Sequence, residues 1–214
     1  MAVITISRQY ASGGSDVARL VAERLGWALV DNEFVSRVAE RAGLPPSEVR
    51  EREERVPGLV ERLARALAIS SPEVFVATGE SPATPFAEEE ALVRVTEAVI
   101  NQAVQQGNAV MVGRGAQAYL AQREDTLHVY LVAPRDVRVQ AAMERLGLER
   151  GEAEETVDRM DEGRRRYVKT YYRRGWDDPA NYHLVFNSGA FSYEQIADLI
   201  REAAGVRLKA RSKK

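Results

Sequence analysis

Val3 to Gly26, VITISRQYASGGSDVARLVAERLG, reads as a strand, a glycine-containing turn and a helix. Val3, Ile4, Thr5 and Ile6 have the β-branched character of a strand, Ser12-Gly13-Gly14-Ser15 makes the turn, and Val17, Leu20, Val21 and Leu25 recur at helical spacing. This is the layout of a phosphate cradle. A strand delivers the chain to a turn whose backbone N–H groups point inward, and the next helix adds its unpaired first amides and the positive end of its dipole. The phosphate-loop consensus G-x-x-x-x-G-K-[ST] also requires a first glycine and a lysine that reaches the terminal phosphates. Laid over this chain, those positions fall on Arg8, Gly13, Gly14 and Ser15. The second glycine and the serine are kept, but the first glycine is Arg8 and the lysine is Gly14. On these residues alone, a triphosphate cradle built from Ser12, Gly13, Gly14, Ser15 and Asp16 and a structural βα turn are both open readings.

Composition narrows the classes. With 214 residues, 45% apolar content and 29% charge, the chain is expected to form one soluble globular domain over residues 1–214. A net charge of -2 argues against a dedicated nucleic-acid binder. No apolar run approaches the roughly 18 residues of a membrane span, and the N-terminus enters a strand without a signal-peptide pattern, so no membrane partner and a cytoplasmic location are expected. Cysteine is absent, which removes disulfides, thiolate nucleophiles and cysteine-bound zinc. His128 and His183 are the only imidazoles, which leaves little for histidine catalysis or a histidine-rich metal site.

Strands and helices alternate along the chain. A short strand, Ala28 to Val30, ends at Asp31, and a helix is expected from about Asn32 to Ala42 before Gly43-Leu44-Pro45-Pro46. Residues 44–90 read as an insertion: a charged helical stretch from Ser47 to Leu67 broken at Pro57-Gly58, then a proline-bearing loop over 70–87. A helix from about Glu88 to Gln106 leads to the strand Ala109–Val112, and another strand, Leu127–Val132, precedes a helix starting near Arg135. A charged helical segment over 149–176 is expected to break near Gly163. The last strand, His183–Phe186, leads to a helix from Ser192 to Ala204, with Ser192 and Gln195 at capping-box spacing. The basic end, 206–214, reads as a solvated tail. Five strand-helix alternations predict an α/β fold with a parallel sheet and ligands at the carboxyl ends of its strands.

Residues suited to phosphates or nucleotides stand at those ends: Arg8, Asp31 and Arg114. Asp31 and Arg37, six apart across a strand-to-helix turn, suit a monophosphate acceptor, or else a capping carboxylate and a surface arginine. In Gly113-Arg114-Gly115 a guanidinium sits between two residues that allow close backbone approach, and its planar fork matches a phosphate. Asp161 to Tyr167, DEGRRRY, gathers Arg164, Arg165 and Arg166, which would close over a transferred phosphoryl group or simply form a solvated face.

Taken together these residues resemble the cytidylate kinases, and more closely the cytidylate kinase-like proteins of the P-loop kinase superfamily. ITIS followed by seventeen residues and LGWALVD is similar to their strand, loop and helix, and DNEFVSR (31–37) is similar to their monophosphate segment. VGRG (112–115) resembles their strand followed by Gly-Arg-Asp, D-x-x-R at Asp161 and Arg164 resembles part of their lid, and LVFNSGAFSYEQIADLI (184–200) resembles their last strand and helix. The resemblance implies a five-stranded P-loop kinase sheet with a helical insertion and an arginine-rich lid. It further implies transfer from ATP to CMP or dCMP with Mg2+. Asp31, Arg37, Arg114 and Asp161 would bind the acceptor, Asn187 and Ser188 would flank the adenine, and Ser15 would be the metal ligand. Arg8, Arg114, Arg164 and Arg165 would act on the transferred group. The family's aspartate after the third-strand arginine is here Gly115. Asp16 is a further departure, because a carboxylate about 5 Å from one phosphate charge costs about 3 kcal/mol at an effective dielectric of 20, a sign that Mg2+ between them reverses. Two other readings stand beside the kinase: a catalytically silent nucleotide-binding protein, and a kinase of another small acceptor. The long charged helix near 150–173 reads as lid, homodimer contact or both.

Overall fold

The computed structural model describes residues 1–31, Phe34 and 85–209. It divides into two compact units, Met1–Leu29 with Gly107–Lys214, and Val30–Gln106. The expected helix over 32–42, Arg37 and most of the 44–90 insertion lie outside the described residues. In the second unit, Asp31 Oδ1 accepts a hydrogen bond from the Phe34 N–H at 2.8 Å, the bond expected of a capping carboxylate. A helix, α2, spans Pro85–Gln106. It begins three residues before the expected Glu88 and puts a proline in the first turn, where a missing N–H costs nothing.

The sheet has the five strands expected from the sequence. Strands β1 (Val3–Arg8), β2 (Ala28–Val30), β3 (Ala109–Val112), β4 (Thr126–Val132) and β5 (Leu184–Asn187) lie in the order β2-β3-β1-β4-β5. β1 is central and pairs in parallel with β3 (Ile6 opposite Val112) and β4 (Arg8 opposite Leu131), and β4 pairs in parallel with β5. Because the chain leaves β1 towards one side and later returns to the other, the carboxyl end of β1 is the point where the winding reverses, the place where such sheets bind ligands.

Helices α1 (Gly14–Leu25) and α6 (Tyr193–Lys209) cover one face, packing Val17, Val21, Ile196 and Ile200 on Ile4, Ile6, Val129 and Leu131. On the other face Ala118 of the short α3 (Ala116–Tyr119), Val168 and Trp176 pack around Tyr130 and Tyr182. A hairpin of α4 (Arg135–Leu146) and α5 (Arg150–Tyr172) buries Val139, Ala142, Ala153 and Val157, with Tyr10 and Ala11 of the loop after β1 packed against them.

Other elements also differ from expectation, for physical reasons. α5 runs unbroken through Gly163, because the Asp161–Arg164 and Glu162–Arg165 pairs at i,i+3 staple the turn around a residue whose helical penalty is only about 1 kcal/mol. α6 continues to Lys209 into the expected tail, where Arg207 Nε donates to the Thr126 carbonyl at 3.1 Å. β5 starts at Leu184, after His183, whose ring Nδ1 accepts the His128 N–H at 2.8 Å. The capping box at the head of α6 is formed in both directions, Ser192 N–H to Gln195 Oε1 at 2.9 Å and Gln195 N–H to Ser192 Oγ at 3.2 Å.

The two histidines stack with ring centroids 5.0 Å apart, and His128 Nδ1 lies 2.7 Å from Thr5 Oγ1. Burial first, then the charges of His183, Arg207 and Arg174, push His128 down to about 4. An unfolded histidine titrates near 6.5, so protons bind the unfolded chain more readily. His128 therefore contributes stability that is fully present above about pH 6.5 and is lost as the pH falls through 4, by about 3 kcal/mol in all. Denaturant melts at pH 7 and pH 4.5 check this: wild type should lose more stability on acidification than His128→Asn, and equal losses would contradict it.

Candidate active site

β1 ends at Arg8 and hands the chain to a loop whose shape is fixed from several sides. The Gln9 N–H donates to the Leu131 carbonyl at 2.9 Å, while its side-chain Oε1 accepts from the Ala133 N–H at 3.0 Å. The Tyr10 N–H donates to Asp161 Oδ1 at 2.7 Å. Ser12 is buried, with its hydroxyl donating to the Gln9 carbonyl at 2.8 Å, and its own carbonyl accepts from Ser188 Oγ at 2.9 Å. Ala11 and Gly13 take left-handed conformations, φ 59° and 76°, and Gly13 caps α1 with no side-chain bond to the first turn. The amides of Gly14, Ser15 and Asp16 thus have no partner within the helix and stand at its positive end. The Tyr193 ring lies against Gly13, where a β-carbon would overlap it.

Gly14, at the lysine position, lies under Arg8. A β-carbon built on Gly14 would lie 2.5 Å from both Cβ and Cγ of Arg8, and one on Gly113 would overlap Arg8 Nη1. The side chain that replaces the first glycine therefore crosses the position of the absent lysine and brings its guanidinium to the end of β3. There Gly113, Arg114 and Gly115 are all left-handed, with φ 69°, 52° and 68°. For Arg114 that conformation costs about 1 kcal/mol or more, strain of the kind that concentrates at functional sites. Burial lowers the Arg114 pKa, with Tyr167 opposing, so the guanidinium is a desolvated cation. At Gly115, where the related kinases carry aspartate, a β-carbon would run into the ring of Tyr172.

The lid arginines separate. Arg164 is partly buried, its pKa lowered by burial against the opposing charge of Asp161. Its Nη1 donates to the Arg8 carbonyl at 3.3 Å and to Asp161 Oδ1 at 3.2 Å. Arg165 is exposed and paired with Glu162 and, at 3.0 Å, with Asp177, outside the loop. Both oxygens of Asp161 are engaged inside the chain, Oδ1 as above and Oδ2 by Arg138 Nη1 at 2.7 Å. Asn187 Oδ1 accepts from the Gly189 N–H at 2.9 Å, so its side chain shapes the turn after β5.

Sequence reasoning passed over Arg138, Arg145, Tyr172 and Tyr193. Arg145 meets Asp16 at 3.2 Å and, with Tyr193, Ala11, Gly13, Ala141 and Glu144, lines an open pocket of about 340 Å3 beside the first turn of α1. The segment's helical charge pattern gives no sign of this, since Arg145 looks like any solvated last-turn cation. Among the described residues no three or more acidic, cysteine or histidine side chains group as a metal site. Mg2+ does not need such a group, because it keeps most of its water and binds through one or two protein oxygens plus phosphate. The exposed Ser15 hydroxyl fits that role, while Asp16 is engaged by Arg145.

Comparison with known proteins agrees with this architecture. The chain is similar over 97% of its length to all of an uncharacterized protein from Eubacterium ventriosum, with a TM-score of 0.70 and 19% identity. It is similar to a gluconokinase from Sinorhizobium meliloti (TM-score 0.54, 13% identity, 98% of this chain and 94% of that one). A shikimate kinase from Bacteroides thetaiotaomicron also matches (TM-score 0.51, 12% identity, 94% and 97%). At such identities the likeness is one of fold. A curated uronate isomerase from Corynebacterium glutamicum is 36% identical over 93 residues, 44% of this chain and 18% of that protein. The chain thus spans less than a fifth of that relative, and the match lends it no activity. No helix among the described residues is long and apolar enough to cross a membrane. The model of the cytidylate kinase-like family matches residues 3–190, and the chain belongs to that family.

Proposed function

We propose that the protein is a phosphotransferase that holds ATP on the Ser12–Asp16 cradle and moves its terminal phosphoryl group to CMP or dCMP, giving ADP and CDP or dCDP. The observation that carries this reading is the crossing of Arg8 over Gly14 towards Gly113 and Arg114. In this reading Arg8 supplies the cation that the consensus lysine would, so the loss of lysine is a relocation of charge. In this mechanism the first amides of α1 orient the triphosphate. Ser15 would hold Mg2+, which would supply neutralisation of the charge on the phosphates. Arg8 and Arg114 stabilise the charge that spreads over the transferred group. A phosphate acceptor is already ionised, so positioning and neutralisation suffice without a general base. The pocket walled by Arg145 and Tyr193 is the natural seat for the triphosphate's base, with Asn187 and Ser188 shaping the loop behind it. The cytoplasm, which holds ATP and nucleoside monophosphates together, is the location this reading implies.

One observation favours a different acceptor. The Tyr172 ring fills the space of the aspartate that helps hold the nucleoside in the kinases this chain resembles. An acceptor panel with ATP and Mg2+ decides between the readings: CMP, dCMP, UMP, AMP and GMP, with shikimate and gluconate added because kinases of those compounds share the fold. Product from CMP or dCMP is the expected result. Product from another acceptor alone would transfer the mechanism to that compound, and a thermal shift with ATP and Mg2+ but no product from any acceptor would favour a silent nucleotide-binding protein.

A further inference from the structure

Tyr10 is held through both its backbone N–H and its carbonyl by the helical hairpin. Its N–H donates to Asp161 Oδ1 at 2.7 Å, and its carbonyl accepts from Arg138 Nη1 at 3.4 Å. The same Nη1 pairs with Asp161 Oδ2 at 2.7 Å, and Arg138 Nε is fixed on the Ala133 carbonyl at 3.1 Å. Arg164 closes the ring of contacts, its Nη1 bonded to Asp161 and to the Arg8 carbonyl while its guanidinium carbon lies 5.5 Å from the centre of the Tyr10 ring. Asp161 is only 8% exposed.

We infer that Asp161 is a positioning residue, a latch through which α5 sets the conformation of the phosphate loop, and not a ligand of the acceptor. Its hydrogen bonds are made to the loop and to two arginines, one on α4 and one on its own helix. The residue after Tyr10, Ala11, is left-handed at φ 59°, a conformation that a side chain with a β-carbon keeps only when its surroundings over-determine it. Fixing the Tyr10 amide and carbonyl supplies that constraint at the point where the loop turns towards the cradle amides. The inference rests on the reading of that cradle as a triphosphate site.

The sign of one effect separates a latch from a simple charge. Removing a negative charge beside an anion site would tighten phosphate binding by Coulomb attraction to the arginines left behind. Loosening the cradle weakens it. Asp161→Asn is therefore compared with wild type in ATP binding by calorimetry with Mg2+, and in backbone amide exchange of residues 10–12 by NMR. The latch predicts an ATP Kd raised about tenfold, roughly the 1.4 kcal/mol of one lost charge-assisted hydrogen bond, together with faster exchange at residues 10–12 and unchanged exchange at Val21 and Ile200 in the core. Unchanged exchange at residues 10–12, or tighter ATP binding, would overturn it. Should Asp161→Asn not fold, Arg138→Met removes one of the two bonds on the Tyr10 peptide. It is expected to move exchange and Kd in the same direction by a smaller factor, and wild-type values of both would overturn the latch. If wild type binds no ATP, the cradle reading fails on its own and the exchange measurement alone decides the latch.

Discussion

Arg8→Ala is expected to lower kcat by about 10²- to 10³-fold with a smaller change in KM for ATP, the loss found when one preorganised donor to transition-state charge is removed. The expectation follows from where the side chain lies. Arg8 leaves the end of β1, packs its Cβ and Cγ against Gly14 and carries its guanidinium to Gly113, so that under the proposed function its charge would come from the strand instead of from the helix. Arg8→Lys should recover part of the rate, because a single cation of similar reach remains, although the guanidinium's two-pronged geometry is gone. If Arg8→Ala turns over at the wild-type rate, the charge must come from another residue.

Gly115→Asp, which would restore the acceptor-binding aspartate of the related kinases, is expected to destabilise the protein by about 2–4 kcal/mol. Two contributions add. The backbone at Gly115 is left-handed at φ 68°, which costs a residue with a β-carbon roughly 1 kcal/mol or more. The new β-carbon would also overlap the Tyr172 ring, and overpacking of this kind costs about 1–3 kcal/mol. Residues in direct conflict couple, so Gly115→Asp combined with Tyr172→Ala should be less destabilised than the sum of the two single variants. Denaturant melts of the four proteins give the coupling. Simple additivity would mean that Tyr172 does not exclude the aspartate.

What the sequence made legible is what its local periodicity encodes. The β-branched run at Val3–Ile6, the helical spacing of Val17, Val21 and Leu25, and the Ser192–Gln195 spacing each carry their structure within a few residues. The parallel sheet follows from the alternation of strands and helices, whereas the order β2-β3-β1-β4-β5 is set by packing between distant segments. The site was legible in its members more than in its arrangement. Arg8 and Gly14 are two departures from a motif when read in line, and one packing event when seen in space: the glycine admits the arginine. The Asp161 contact with Tyr10 was not legible, because D-x-x-R says nothing about a partner 151 residues away. Arg165 shares its run with Arg164, but the helical turn points it at Asp177 and solvent. Gly163 looked like a break because the ion pairs that span it are visible only once the helix is assumed.

The most direct test exchanges the two residues. Arg8→Gly with Gly14→Lys rebuilds the consensus loop, while Gly14→Lys alone forces a lysine against the Arg8 side chain. Steady-state transfer of the ATP terminal phosphate, measured for wild type, both single variants and the double variant, should show activity in wild type, large losses in Arg8→Gly and Gly14→Lys, and recovery in the double variant to within about tenfold of wild type. That pattern is a coupling of more than 1 kcal/mol between the sites. A double variant no more active than the worse of its parents, beside an Arg8→Gly protein that keeps full activity, would contradict the account that the cradle's missing lysine has moved to Arg8.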